Sequence, residues 1–212
     1  HLGSWIARLT YKTEDWQGSL YADHFFEDHS SMFLLDYDGY GTNEKWNKKE
    51  KNKYLLYDLK DILLGVELNL KNSKIIKDVV IEYIYSKYQS GPIYHDHNIN
   101  TPDHIGGNDD YYNHYIYPGW QHWGQVIGNP LFLSPIYNKD NIIQISDNRF
   151  KAFHLGVNGN ISHNLLYRLL LTHKEGLGTY NNPYLKYKYQ TSLLTEFKYN
   201  FMGKKLNGWS IT

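Results

Sequence analysis

The chain contains no cysteine among its 212 residues. A disulfide framework and a metal site built on thiolates are therefore excluded, because both need cysteine side chains. Long apolar runs are also missing, and none approaches the roughly 18–20 residues that a membrane-spanning helix requires. A helical membrane protein is thus excluded. A membrane β-barrel is not, because only alternate residues of a barrel strand face lipid.

An excess of charge of one sign is lacking too, since 22 basic and 22 acidic residues cancel. Nucleic-acid binding usually shows as a basic excess, so we expect no nucleic-acid partner. The sequence has no GxSxG, P-loop or GxGxxG motif. Ser162 and His163 are adjacent, which is poor geometry for a nucleophile and its base. We therefore predict that the protein is not an enzyme and uses no cofactor.

Apolar and polar residues alternate along much of the chain. In residues 59–70, "LKDILLGVELNL", every second position from Ile62 to Leu70 is apolar, although a helical stripe through Leu59, Ile62 and Val66 can also be drawn. The alternation recurs in residues 4–12, 16–24, 77–88, 149–158, 164–174 and 191–201, and restarts at 209. Because strand side chains alternate between faces, the pattern predicts a sheet with one apolar side. Helices remain an alternative around Leu165 and Leu193.

The predicted strands are joined by connections that alternate between short and long. Residues 13–15, 71–76, 159–162 and 202–207 are short, whereas 25–58, 89–148 and 175–189 are long. Outer-membrane barrels have this arrangement, with short turns facing the periplasm and long loops facing outside. We predict an all-β fold: an antiparallel up-and-down transmembrane β-barrel, of which residues 1–212 supply about eight strands as part of a single domain.

The predicted faces agree with this assignment. Tyr11 and Trp16 flank the first short turn, and Phe201 and Trp209 flank the last, as expected of rings at a membrane interface. The alternative is that they are ordinary aromatic residues of a soluble sheet. The polar face mixes both signs of charge, which predicts a cross-linked or plugged interior. Its members are Arg8, Lys12, Asp23, Asp61, Glu67, Glu82, Arg168, Lys174, Glu196 and Lys198.

The loop 89–148 carries the candidate binding residues. Aromatic rings beside carboxylates and amides suit a carbohydrate, because sugar C–H faces stack on rings while polar groups take the hydroxyls. The predicted glycan-binding residues are Asp109, Asp110, Tyr111, Tyr112, Trp120, Gln121 and Trp123. The alternative is that these rings pack the loop onto itself and close the barrel mouth.

Two further loop features, a cluster of histidines and aspartates and a cluster of lysines, can be interpreted either as binding sites or as ordinary polar surface. The loop 89–148 is rich in histidine and aspartate, at His95, Asp96, His97, Asp103, His104, Asp109, Asp110, His114 and His122, but no spacing matches HExxH or an EF-hand. We predict no metal site. The loop 25–58 contains "NEKWNKKEKNK", whose lysines suit either an anionic glycan or lipopolysaccharide, or simply a solvated surface.

Three stretches carry a family resemblance: "GSWIARLTYKTEDWQGSLYADHFFEDHSSMF", "YYNHYIYPGWQHWGQVIGNPLFLSPIYN" and "HNLLYRLLLTHKEGLGTY". With these, the chain resembles the Bacteroidetes branch of the capsule assembly Wzi family, as a C-terminal fragment of a longer barrel. The resemblance implies an outer-membrane protein of a Gram-negative bacterium that holds capsular polysaccharide without catalysis. We expect capsular polysaccharide and lipopolysaccharide as partners, and a monomer. A porin and an outer-membrane or secreted lipid or glycan hydrolase remain alternatives.

Overall fold

The computed structural model describes residues 3–26, 61–87, 89, 110–113, 121–201 and 210–212, and the backbone of 35–36, 53–54, 93–94 and 105–106. Its main element is one sheet of eight strands, every neighbouring pair of which is antiparallel. In chain order these are β1 (Gly3–Lys12), β2 (Trp16–Phe26), β3 (Ile62–Leu70), β4 (Asp78–Tyr85), β5 (Phe150–Asn160), β6 (Leu165–Gly178), β7 (Pro183–Asn200) and β8 (Ser210–Ile211).

Short elements complete the described structure. Two-residue ladders pair Leu35–Asp36 with Lys53–Tyr54, Ile93–Tyr94 with Ile105–Gly106, and Gln121–His122 with Gln125–Val126. A 3₁₀ turn covers Pro135–Tyr137. Within the described residues, none of the helical structure is long or apolar enough to cross a membrane.

The order of strands in the sheet is the same as their order in the chain. The predicted all-β class and the antiparallel up-and-down arrangement are therefore confirmed. The helical alternatives at residues 59–70, Leu165 and Leu193 are wrong, because Ile62–Leu70, Leu165 and Leu193 lie in strands. The described sheet is open: no ladder among these residues joins β1 to β7 or β8.

One predicted connection is wrong. The sequence suggested a long loop at 175–189, but β6 continues to Gly178 and β7 begins at Pro183, which leaves only residues 179–182 as the turn. Gly178 has a φ of +86°, which favours glycine. The backbone amide of Asn182 donates to Thr179 Oγ1 at 2.9 Å. Gly178 at the end of β6 and Pro183 at the start of β7 therefore flank a tight hairpin turn.

The register places an unbroken row of aliphatic side chains across seven strands, on what we call the apolar face. The row consists of Leu9, Leu20, Val66, Ile81, Leu155, Leu171 and Leu193. These side chains are open rather than packed: Leu9 is 72% and Val66 46% exposed. Tyr11 and Trp16 lie on the same face beside the first turn, with ring centroids 5.6 Å apart, as predicted. Trp209, in the other predicted aromatic pair, lies outside the described residues.

The opposite face is polar and carries a matching row, which we call the polar row. It consists of Arg8, Tyr21, Gly65, Glu82, His154, Thr172 and Ser192. The Tyr21 ring lies across Gly65 so that its hydroxyl donates to the Glu82 carboxylate. A Cβ at position 65 would lie 2.1 Å from Tyr21 Cζ, so only glycine leaves room for this bond.

We expect Gly65→Ala to lower the free energy of unfolding by about 2 kcal/mol, because the Tyr21 ring must leave Glu82. The measurement is urea unfolding of the folded chain. The Tyr21→Ala background supplies the control: once the ring is gone, the same glycine change should cost nothing or stabilise the strand, because alanine suits a strand better than glycine. An equal cost in both backgrounds would refute this explanation.

Candidate functional site

A hydrophobic core lies on the polar side of the sheet, at the end where the long connections leave. Tyr111, Tyr112, Phe132 and Ile145 pack there against the sheet, in one cluster with Ile84, Phe150 and Ala152. We call residues 110–113 and 121–148, all from the predicted loop 89–148, the cap. The cap covers this end of the polar face because its rings find apolar partners there.

A network of buried polar groups fixes the start and end of the cap. Ser86, Gln89 and Asn148 are each fully buried. The Gln89 amide donates to the Ser86 and Asn148 carbonyl oxygens, and its Oε1 accepts the Tyr111 amide at 3.0 Å. The Asn148 amide donates to Asp110 Oδ1 at 2.7 Å. Buried polar groups that are paired in this way define one arrangement of the chain.

A buried ion pair attaches the cap to β6. Lys174 is only 6% exposed, and its Nζ lies 2.9 Å from Asp147 Oδ2. The same ammonium donates to the Leu131 carbonyl oxygen at 2.7 Å and lies 4.4 Å from the centre of the Phe150 ring. Asp147 Oδ1 accepts the backbone amides of Leu177 and Gly178, so both charges have several partners.

Charges on the rest of the polar face are cross-linked, as the sequence predicted. Arg8 pairs with Glu67 across two strand boundaries, and Arg168 pairs with Glu196. The Asn69 amide donates to Asp78 Oδ1 at 2.6 Å on the same face. The two ion pairs neutralise their own charges locally, and the Asn69 amide holds the Asp78 carboxylate by a hydrogen bond.

Two of the predicted glycan-binding residues are packing residues in this structure. Tyr111 is 3% exposed; its ring meets Phe25 edge-on at 5.3 Å, and its hydroxyl donates to Asp61 Oδ2 at 2.7 Å. Tyr112 is 7% exposed, with its ring 4.7 Å from Phe132. Neither ring face is open to a sugar here. Their positions agree with the packing part of the alternative interpretation, because both rings lie in one cluster with other loop residues and with the sheet.

The other predicted residues have different surroundings. Trp123 is 88% exposed and adopts a φ of +52°, whereas the Gln121 amide is held by the Tyr112 carbonyl oxygen. Asp110 accepts from Asn148, so its carboxylate supports the cap. Asp109 and Trp120 lie outside the described residues. Of this group, Trp123 is the described residue that is free to stack on a ligand.

The structure describes only part of the loop 89–148, in which the sequence predicted no metal site. Most of its histidines and aspartates lie outside the described residues, and those inside are Asp110, His122, Asp140 and Asp147. Within the described ranges, no three His, Cys, Asp or Glu side chains come together as metal ligands do. The side chains of the lysine-rich loop 25–58 likewise lie outside, apart from its first residues.

A cavity that sequence patterns alone did not indicate lies between the cap and the polar row. Its volume is about 440 Å³; residues 129–131 roof it, and Glu82, His154, Thr172 and Ser192 form the floor. His154 Nδ1 and Thr172 Oγ1 are hydrogen-bonded at 2.7 Å. The alternation does place these side chains on the polar face, but the register between strands is needed to align them.

Comparison of the chain with protein-family models, with curated proteins and with solved structures found no match.

Proposed function

We propose that the chain forms part of the wall of an outer-membrane β-barrel that binds or anchors capsular polysaccharide at the cell surface, without catalysis. The observation that carries this proposal is the apolar face. Its aliphatic row crosses seven strands, which at a strand spacing of about 4.8 Å is roughly 30 Å. Soluble monomers rarely leave so large an apolar surface open, whereas acyl chains cover it in a membrane.

The two ends and the two faces of the sheet support the same proposal. Short turns at 13–15, 71–77 and 161–164 gather at one end, and the cap folds over the polar face at the other. A barrel has its polar side inside, where cross-linked charges and a packed loop replace open water. This arrangement favours a structural and binding role over free conduction. Planar-bilayer conductance separates the two: a steady open pore would favour a porin.

The glycan part of the proposal rests on the family resemblance and on the exposed side of the cap. Trp123 presents an open indole ring beside His122, with the ring centroids 6.1 Å apart. Weak contacts of this kind suffice for a repeating polymer, because many act at once. The third possibility, a hydrolase, predicts turnover of purified polymer or lipid, and a binder shows none.

The membrane assignment is tested by Val66→Arg, a charge placed in the middle of the apolar row. We expect it to make folding into lipid vesicles less favourable by about 2 kcal/mol, because the guanidinium would face acyl chains. The control is Leu194→Arg, the same kind of change at 45% rather than 46% exposure but on the polar face. It should cost less than about 1 kcal/mol. If neither change has an effect and the chain folds in water without detergent, the barrel is refuted.

The binding assignment is tested by Trp123→Ala in encapsulated cells. We expect the cell-bound fraction of polysaccharide to fall and the shed fraction to rise, with the level of folded protein in the membrane unchanged because the indole packs little. The control is Tyr137→Ala, which removes another aromatic ring of the cap that is 73% exposed. Equal retention by both variants and the parent would remove Trp123 from the proposed glycan contact.

A further inference from the structure

The cavity under the cap has both a polar and an apolar lining. Its floor is four strands of the polar row, from Glu82 on β4 to Ser192 on β7, a distance of roughly 15 Å at the usual strand spacing. Its sides and roof are mostly apolar, with Leu63, Leu170 and Leu131 among them, and Asn129 is the polar residue of the roof. A volume of about 440 Å³ lies within the range of small-molecule pockets.

The floor places hydrogen-bond donors and acceptors side by side on four adjacent strands. The Glu82 carboxylate accepts from Tyr21 through one oxygen, and carboxylates accept more than one bond. His154 lies directly opposite Glu82 and is bonded to the Thr172 hydroxyl, and Ser192 lies directly opposite Thr172. Each hydroxyl both donates and accepts. A ligand with several hydroxyl groups would therefore find a partner at each step across the sheet.

Other ligand classes fit less well. An acyl chain would cover this polar line without replacing its hydrogen bonds to water, which costs free energy for each group left unpaired. A carboxylated or sulfated ligand would meet the Glu82 carboxylate and be repelled. A neutral sugar avoids both penalties, because its hydroxyls reach the floor while its C–H faces lie against the leucines.

We propose that this cavity is a binding site for an uncharged sugar unit, held between the polar row and residues 129–131. The proposal rests on the proposed function, since it names the class of glycan that the barrel holds and puts one contact inside the mouth rather than on the outer loops. Pro130 and Leu131 are set over the cavity because Lys174 holds the Leu131 carbonyl oxygen.

The test is calorimetric titration of the full folded chain in detergent with neutral trisaccharides of glucose, galactose and mannose, and with a trisaccharide of mannuronic acid as the charged probe. We expect at least one neutral trisaccharide to bind at millimolar concentration, and the acidic one at least tenfold more weakly. Leu194→Trp, which fills the cavity from β7, should weaken binding at least tenfold. Leu169→Trp, on the apolar face of β6, should leave it unchanged.

Two further variants change the charge or a hydroxyl group of the cavity floor without filling the cavity. Glu82→Gln keeps the shape of the side chain and removes its charge. The ratio of the dissociation constants of the acidic and neutral trisaccharides should therefore fall at least threefold. Thr172→Val removes a hydroxyl and should weaken neutral binding several-fold. The site is overturned if no neutral trisaccharide binds, if the acidic probe binds best, or if Leu194→Trp binds like the parent. If it is overturned while Trp123→Ala still releases capsule, the proposed function stands and only the internal site fails.

Discussion

Lys174→Met is expected to lower the free energy of unfolding by about 3 kcal/mol, measured by denaturant titration of the folded chain. The side chain is of similar length, so the loss comes from charge rather than volume. Without the ammonium, the partly buried Asp147 carboxylate keeps only two backbone amides as partners, and the Leu131 carbonyl oxygen loses its donor. We also expect faster hydrogen exchange at Leu177 and Gly178, because the cap then separates from β6 more often.

A neighbouring lysine provides the control. Lys151 Nζ lies 3.6 Å from Glu175 Oε1, and both side chains are substantially exposed, so Lys151→Met should cost less than about 1 kcal/mol. The double variant Lys174→Met with Asp147→Asn should cost less than the sum of its single changes, since no lone charge remains buried. Additive losses in the double variant would contradict the ion-pair explanation.

Gly159→Ala is expected to cost about 3 kcal/mol, which is large for the addition of one methyl group. Gly159 lies on β5, where the turn 71–77 crosses it, and a Cβ would lie 1.7 Å from the Ile75 carbonyl oxygen. The turn has little freedom to withdraw. The Asn160 backbone amide donates to the Lys74 carbonyl oxygen at 3.1 Å, and the Tyr167 hydroxyl donates to the Ile75 carbonyl oxygen at 2.9 Å. Any movement therefore breaks hydrogen bonds.

The comparison for this change is Gly156→Ala, three residues earlier on the same strand. There the nearest atom to the new Cβ would be the Leu170 Cδ2 methyl, at 3.2 Å, and a leucine side chain can move by a few tenths of an ångström; His154 Nε2 and Val80 Cβ, at 3.7 and 3.8 Å, are at ordinary contact distance. Both changes alter intrinsic strand preference equally, so the difference between their unfolding midpoints isolates the backbone clash. Equal unfolding midpoints would mean that the turn 71–77 moves away from the new methyl group at no cost in stability, and would contradict this explanation.

Much of the sheet could be predicted because period-two alternation is a local property of strands. The ionisable residues assigned to the polar face from Arg8 to Lys198 occupy that face wherever the register is described. The failure at 175–189 has an equally local cause. Glycine and proline there mark one tight turn, and the Tyr–Lys alternation from Tyr184 onward belongs to β7.

The site was harder to predict because it depends on contacts distant in sequence. Tyr111 is buried by Phe25 and bonded to Asp61, and nothing near residue 111 in the chain indicates either partner. The Asp147–Lys174 pair and the cavity floor likewise come from strand register and loop docking. The aromatic composition of the loop predicted that its rings were important, but it could not separate packing from recognition at each position.

The strand order has a consequence for how such a sheet changes over evolutionary time. Every ladder of the eight-stranded sheet joins strands that are neighbours in the chain. Duplicating or deleting one hairpin would therefore widen or narrow the sheet by two strands and leave the remaining pairings intact. A gene encoding it can change the width of the sheet in steps of one hairpin, without a new kind of connection.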